Sequence, residues 1–238
     1  IDLELQLKDL ESIEKNIGAL ARKAKSGDKD AIRQHEVFEA AKNHLEAGNS
    51  IRSLDVDKEK MALLDELHLL TAKPVLYLCN VDEASVKDGN NYVKAVREAV
   101  KGEDAEVLIL GAAIEADINE LDTYEERQMF LDDLGLEEPG VSKLISSAYK
   151  LLKLQTYFTA GVKEVRAWTI NLGMTAPQAA GVIHTDFEKG FIRAEVIHYN
   201  DFVEFGSEAK CKEVGKLNIE GKEYIPEDGD VMHFRFNV

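Results

Sequence analysis

The chain has 238 residues, 45% hydrophobic and 31% charged, enough apolar material to bury a sizeable core and to divide into two or three compact units. Its longest apolar runs, Val75 to Cys79 and Val107 to Ile114, fall far short of the roughly 20 residues that cross a bilayer, which excludes a transmembrane helix and a membrane partner. A formal net charge of -16 argues against a broad electrostatic grip on nucleic acid, which needs Lys and Arg facing phosphates, and leaves room for a local basic patch.

Leu3, Leu7, Leu10, Ile13, Ile17, Leu20 and Ala24 recur at steps of three and four between charged residues, which predicts a long amphipathic helix. Ser26-Gly27-Asp28 breaks it, and a second helical stretch from about Asp28 to Ala47 ends at Gly48-Asn49-Ser50, so the pair forms an antiparallel helical hairpin. Asp57 is placed to cap a third helix running to about Leu70. The chain opens on Ile1 inside this pattern, without Met or a secretory signal, so it is expected to be a piece of a longer, cytoplasmic protein.

From Pro74 the pattern changes. Val75-Leu76-Tyr77-Leu78-Cys79 is continuously apolar, as in a parallel strand buried on both faces. A helix from about Asn91 to Lys101, a second strand from Glu106 to Leu110 and more helix after Thr123 complete an α/β alternation. Two parallel strands are too few for an independent doubly wound domain, so further strands are expected before Ile1. Pro139-Gly140 punctuates the chain, and Val141 to Leu154 reads as a helix joining two units. Beyond it, Val165 to Ile170 and Phe191 to Val196 read as short strands around a helix near Ala176 to Ile183. A last strand runs from Val231 to Val238, after the turn Glu227-Asp228-Gly229-Asp230, giving a small α+β unit.

The chemistry concentrates at the strand ends. Asn80-Val81-Asp82-Glu83 follows the first strand, and ligands of open parallel sheets bind beyond the carboxyl ends of the strands. Guanine-specific P-loop GTPases read Asn-Lys-x-Asp here, the Asp carboxylate accepting two hydrogen bonds from the guanine edge. Glu83 is one methylene longer and Val81 stands at the Lys position, so guanine specificity is weakened. Alone, an Asn-x-x-Glu string is common in loops. One strand and one helix later, Gly111-Ala112-Ala113 stands where GTPases place a short loop that touches the base through backbone groups; the same small residues equally suit close strand-to-helix packing.

Cys79 and Cys211 make neither a disulfide framework nor a metal site, and the six histidines show no ligand spacing, so no protein metal site is expected. Gly215 to Gly221-Lys222 has one residue too many between its glycines for a phosphate loop and Glu223 where Ser or Thr must reach magnesium. Asp132-Asp133-Leu134-Gly135 ends a helix and has no phosphate role. His184 and Asp186 suit local hydrogen bonding. Lys163, Arg166, Lys189 and Arg193 are candidate contacts to RNA or a protein partner, although ordinary solvated surface is the commoner role of such residues.

The strings Leu154-Gln155-Thr156-Tyr157-Phe158-Thr159-Ala160-Gly161, Glu164-Val165-Arg166-Ala167-Trp168-Thr169, Thr175-Ala176-Pro177-Gln178-Ala179-Ala180-Gly181 and His184-Thr185-Asp186-Phe187-Glu188-Lys189-Gly190-Phe191 closely resemble the carboxy-terminal domain of the YchF family of Obg-like ATPases. The resemblance covers essentially the whole chain. It implies a helical hairpin over residues 1–72, inserted in a partial P-loop NTPase sheet whose carboxy-terminal part is 73–153, and a β-grasp, ubiquitin-like TGS domain over 154–238. It further implies ATP preferred over GTP, with main chain at Val81 along the adenine edge, Asn80 bracing the loop, and Glu83, Ala112 and Ala113 completing a base half-site. Magnesium ligands would lie outside this chain. Ribosome or ribosomal RNA is the implied partner. Without a phosphate loop the chain alone is expected to be catalytically inactive. The alternative expectation is a ribosome-docking module with no catalysis of its own.

Overall fold

Two long helices open the chain, α1 (Asp2–Lys25) and α2 (Lys29–Glu46). Gly27, at φ 87, supplies the left-handed backbone of the reversal, and Asp28 caps α2 by accepting the Asp30 and Ala31 N–H groups at 3.0 and 3.2 Å. Lys42 meets Glu14 at 3.0 Å and Gln6 donates to the Gly48 carbonyl at 2.9 Å, so the helices run antiparallel. Ile13 buries against Val37, Phe38, Ala41 and Leu45, but Leu3 and Leu7 of the predicted stripe stay exposed. This computed structural model describes residues 1–103, 105–161 and 164–237.

Asp57 caps α3 (Lys58–Asp65) by accepting the Lys60 N–H at 2.9 Å. The helix stops short of Leu70 for a physical reason. The Leu70 and Thr71 N–H groups donate to the carboxylate of Asp9 on α1, at 2.8 and 2.7 Å, and the Thr71 hydroxyl donates to it at 2.7 Å, so these residues cannot continue a helical ladder. Asp9 is 2% exposed with its acceptors engaged, which is how a buried carboxylate is tolerated.

β1 (Leu76–Asn80) pairs in parallel with β2 (Glu106–Leu110), from Leu76 opposite Glu106 to Asn80 opposite Leu110. The expectation of a strand buried on both faces is corrected: Leu78 is 43% exposed, because a continuous apolar run still alternates its side chains and the Leu78 face is uncovered among the described residues. α4 (Asn91–Ala99), capped by Asn90, connects the two strands. α5 (Ala112–Glu120) begins directly after β2 at Gly111, and α6 (Tyr124–Leu134) opens on a Thr123–Glu126 capping box and closes on left-handed Gly135. Ile114, Ile118 and Leu131 form the core of this helical pair.

The chain divides into two compact units, Ile1–Glu137 and Glu138–Val238. α7 (Gly140–Leu151), begun by Pro139 and ending three residues before its expected limit, therefore falls with the second unit. There β3 (Leu154–Ala160) and β4 (Val165–Asn171) form an antiparallel pair, followed by α8 (Ala176–Ile183), α9 (Thr185–Lys189), β5 (Phe191–Ile197), α10 (Tyr199–Phe205), α11 (Glu208–Glu213), β6 (Asn218–Glu220) and β7 (Val231–Phe236). The strand order is β4-β3-β7-β5-β6, parallel only between β3 and β7. Mixed α/β architecture, expected from the sequence, is what both units show.

Small residues let α8 lie close to this sheet. Ala176, Ala179 and Ala180 are fully buried against Tyr157, Ile170, Ala194, Val196, Met232 and Phe234. The Tyr157 hydroxyl donates to the Ala179 carbonyl at 3.0 Å, and burial raises its phenol well above the ordinary tyrosine range. Gly190 is required because a Cβ there would collide with the Asn237 carbonyl. At the start of β7, buried Asp230 accepts from the Tyr224 hydroxyl at 2.6 Å and the Glu227 N–H at 2.9 Å and pairs with His198 Nδ1 at 2.9 Å. Its own carbonyl accepts the Phe158 N–H at 2.7 Å, fixing the parallel pairing.

Candidate nucleotide-base site

The carboxyl ends of β1 and β2 lie level, since Asn80 is opposite Leu110. The chain beyond β2 turns at once into α5, so Ala112 and Ala113 occupy a first helical turn. Of the two readings the sequence left open for these small residues, this is the strand-to-helix turn. Gly111 is buried at this turn, where a Cβ would meet the tip of the Ile114 side chain at 2.9 Å. Asn80 bridges the two ends, its Oδ1 accepting the Ala112 N–H at 3.0 Å, and the Val81 N–H donates to the Leu110 carbonyl at 2.9 Å.

These bonds define what is left for a ligand. Val81 has spent its N–H, so its main chain offers a carbonyl acceptor. Asp82 leads into a 3-10 turn over Glu83–Ser85, which puts Glu83 on the surface beside that carbonyl. Asn80, Glu83, Ala112 and Ala113 are all exposed, and Val81 is half-buried. The result is an exposed surface that offers acceptors at Val81 and Glu83 and donors at the Asn80 side-chain amide and the first turn of α5. It contains no phosphate cradle.

The basic candidates are not gathered. Arg166 lies on edge strand β4, with its guanidinium 4.1 Å from the Trp168 ring centroid. Arg193 lies on β5, separated from β4 by two intervening strands, 3.5 Å from Glu195, and Lys189 ends α9. Lys163 lies outside the described residues. His184 uses Nδ1 to accept the Asp186 N–H at 3.2 Å and start α9, a local role. Asp132 to Gly135 closes α6, and Gly215 follows α11 at φ 76, so neither is a phosphate loop.

One cluster was invisible in the sequence. Glu195, Glu208 and His233, from β5, α11 and β7, bring potential metal-ligand atoms within 4.8 Å of one another. Both Glu195 oxygens, however, already accept from Arg235 at 3.1 and 2.9 Å, and that guanidinium holds the carboxyl below its ordinary value. No helix among the described residues is long and apolar enough to cross a membrane.

The family YchF-GTPase_C, described as a protein of unknown function (DUF933), matches residues 154–237. The chain is 54% identical over its full length to the "Ribosome-binding ATPase YchF" of Pasteurella multocida and 50% identical to that of Bacillus subtilis, in each case spanning 65% of the relative. A solved structure of the Schizosaccharomyces pombe YchF GTPase superposes with a TM-score of 0.85 at 34% identity, covering 99% of this chain and 64% of that one. With relatives matched from end to end of its sequence and a shared fold, the chain belongs to the YchF family.

Proposed function

We propose that this chain supplies the base-recognition side of a YchF-type nucleotide site, in a protein that binds and hydrolyses ATP in preference to GTP and docks on the ribosome. The supporting observation is the Asn80 Oδ1 to Ala112 N–H bond, which ties both strand-end segments into one surface. On that surface the Val81 carbonyl and the Glu83 carboxylate are acceptors. The Val81 carbonyl suits the adenine amino group, a donor, where guanine carries a carbonyl acceptor, and the longer Glu83 carboxylate loses the two-point geometry that holds the guanine edge. Ala112 and Ala113 offer small side chains that admit a flat ring.

In this reading residues 1–72 are a helical hairpin inserted in the nucleotide domain, 73–153 its carboxy-terminal part, and 154–238 a β-grasp TGS domain. The strand order β4-β3-β7-β5-β6, with its parallel central pair and one helix packed across the sheet, supports the last assignment. Phosphate and magnesium chemistry is assigned to the part of the relatives that this chain does not span, so the chain by itself binds nucleotide weakly and turns none over. The relatives named as ribosome-binding support a ribosomal partner and a cytoplasmic setting.

The test is a comparison of ATP and GTP affinity in the protein at the length of its relatives, before and after Glu83→Asp. Shortening the carboxylate is expected to move the ATP-to-GTP ratio about tenfold toward GTP, roughly 1.4 kcal/mol. An unchanged ratio removes Glu83 from base selection.

A further inference from the structure

β4 is the outer strand of the five-stranded sheet. Its ladder to β3 is bracketed by the Gly161 N–H donating to the Glu164 carbonyl at 2.9 Å and the Leu172 N–H donating to the Lys153 carbonyl at 2.7 Å. Antiparallel strands exchange bonds at every second residue. Arg166, Trp168 and Ile170 therefore bond to β3, and the N–H and C=O groups of Val165, Ala167 and Thr169 point away from the sheet. Among the described residues no backbone group takes them. The pairing runs unbroken from Ala160–Val165 to Leu154–Asn171, with no proline or bulge to blunt the edge.

The side chains beside this edge are selective. Val165 is 72% exposed. Trp168 lines a cleft of about 490 Å³ together with Ile183, Phe187, Phe234 and Phe236. Arg166, exposed, stacks on Trp168 and has no carboxylate partner among the described residues. Two copies of the chain, each at -16, repel one another, which disfavours pairing of this edge with itself.

We propose that β4 is a docking edge for an extended segment of a partner polypeptide that adds a sixth strand to the sheet. Open backbone donors and acceptors alternating at a two-residue repeat match those of another strand. On the Trp168 side, the added strand places an acidic residue level with Arg166 and an apolar residue, two positions on, level with Trp168. This inference stands on the sheet edge alone and does not depend on the base site.

Trp168 is the chain's one tryptophan, so its fluorescence reports on this strand directly. The probe is an acetylated, amidated Thr-Glu-Thr-Leu-Thr-Glu-Thr peptide, which presents the same pattern in either direction. It is expected to shift Trp168 emission and to slow exchange of the Val165, Ala167 and Thr169 amides. Ala167→Pro removes an outward N–H while sparing the ladder to β3, as prolines on edge strands do, and is expected to weaken the peptide at least tenfold. Should that variant unfold, the same loss is expected on the intact chain for a peptide N-methylated at alternate amides. Arg166→Glu is expected to weaken the peptide, and replacing both peptide Glu residues by Lys is expected to restore it. Undiminished binding of the N-methylated peptide overturns the proposal. So does protection of the same amides by self-association without peptide, or by a single-stranded oligonucleotide in the peptide's place.

Discussion

The two sheets of this chain are built from strands of similar length and end in different states. β1 and β2 leave Leu78 bare and present their carboxyl ends to solvent, whereas the five-stranded sheet closes around Tyr157, Phe191, Phe234 and the alanines of α8. The contrast separates two uses of a strand. In the second unit β3, β4, β5 and β7 supply the core, and their inner polar groups are taken by internal partners such as Asp230, while the outer edge of β4 stays open. In the first unit the strands hold two turns at one level, and the groups beyond them are left available. The large buried core lies on the five-stranded sheet, and the exposed turn residues lie beyond the ends of β1 and β2.

That contrast is sharpened by substitutions whose effects remain within one unit. The largest is expected for Tyr157→Ala, which empties the core beneath α8 and orphans the Ala179 carbonyl. It should cost about 3–5 kcal/mol in denaturant unfolding followed by Trp168 fluorescence. A cost below about 1 kcal/mol would mean that this core is not the anchor of the second unit. Next is Asp9→Ala, which leaves the Leu70 and Thr71 N–H groups without their acceptor. A loss of about 3 kcal/mol is expected in far-ultraviolet circular dichroism melts, with the Trp168 transition unmoved. If both transitions move together, the units do not unfold separately. Thr123→Ala breaks the capping box of α6 and should lower stability by about 1 kcal/mol, recovered by Thr123→Ser.

The smallest effect is one of pH. The Glu195 carboxyl is lowered from 4.5, chiefly by its hydrogen bond from Arg235. A depressed carboxyl stabilises the fold above its unfolded value and loses that contribution as pH falls through the lowered folded value. Unfolding followed from pH 5 downward should therefore steepen below 4.5 in the parent chain and flatten in Glu195→Gln. Equal slopes would show that the Arg235 pair contributes nothing measurable.

Legibility in the sequence followed the same division. β2 and α8 lie within the limits read from the sequence, because a short apolar run and a short helical stretch are local signals. β1 was found, but its burial was misread, since an apolar run reports what a strand can cover and not whether a neighbour is there. β6 and the short helices α10 and α11 span three to seven residues, too few for a period to show. At the site, Asn80 and Glu83 were visible as a motif. The bond from Ala112 to Asn80 joins residues 32 apart, a relation no spacing rule encodes. For Ala112 and Ala113 the small side chains left loop and strand-to-helix turn equally open, and only the position of α5 decides between them.

The carboxylate of Asp9 also has a mechanical meaning. It clamps the hairpin to Leu70 and Thr71, and only a few residues of chain separate Thr71 from β1, whose far end carries Asn80. Tilting α1 against the rest of its unit would break three hydrogen bonds to a buried carboxylate, so the hairpin is held firmly to the segment that leads into β1.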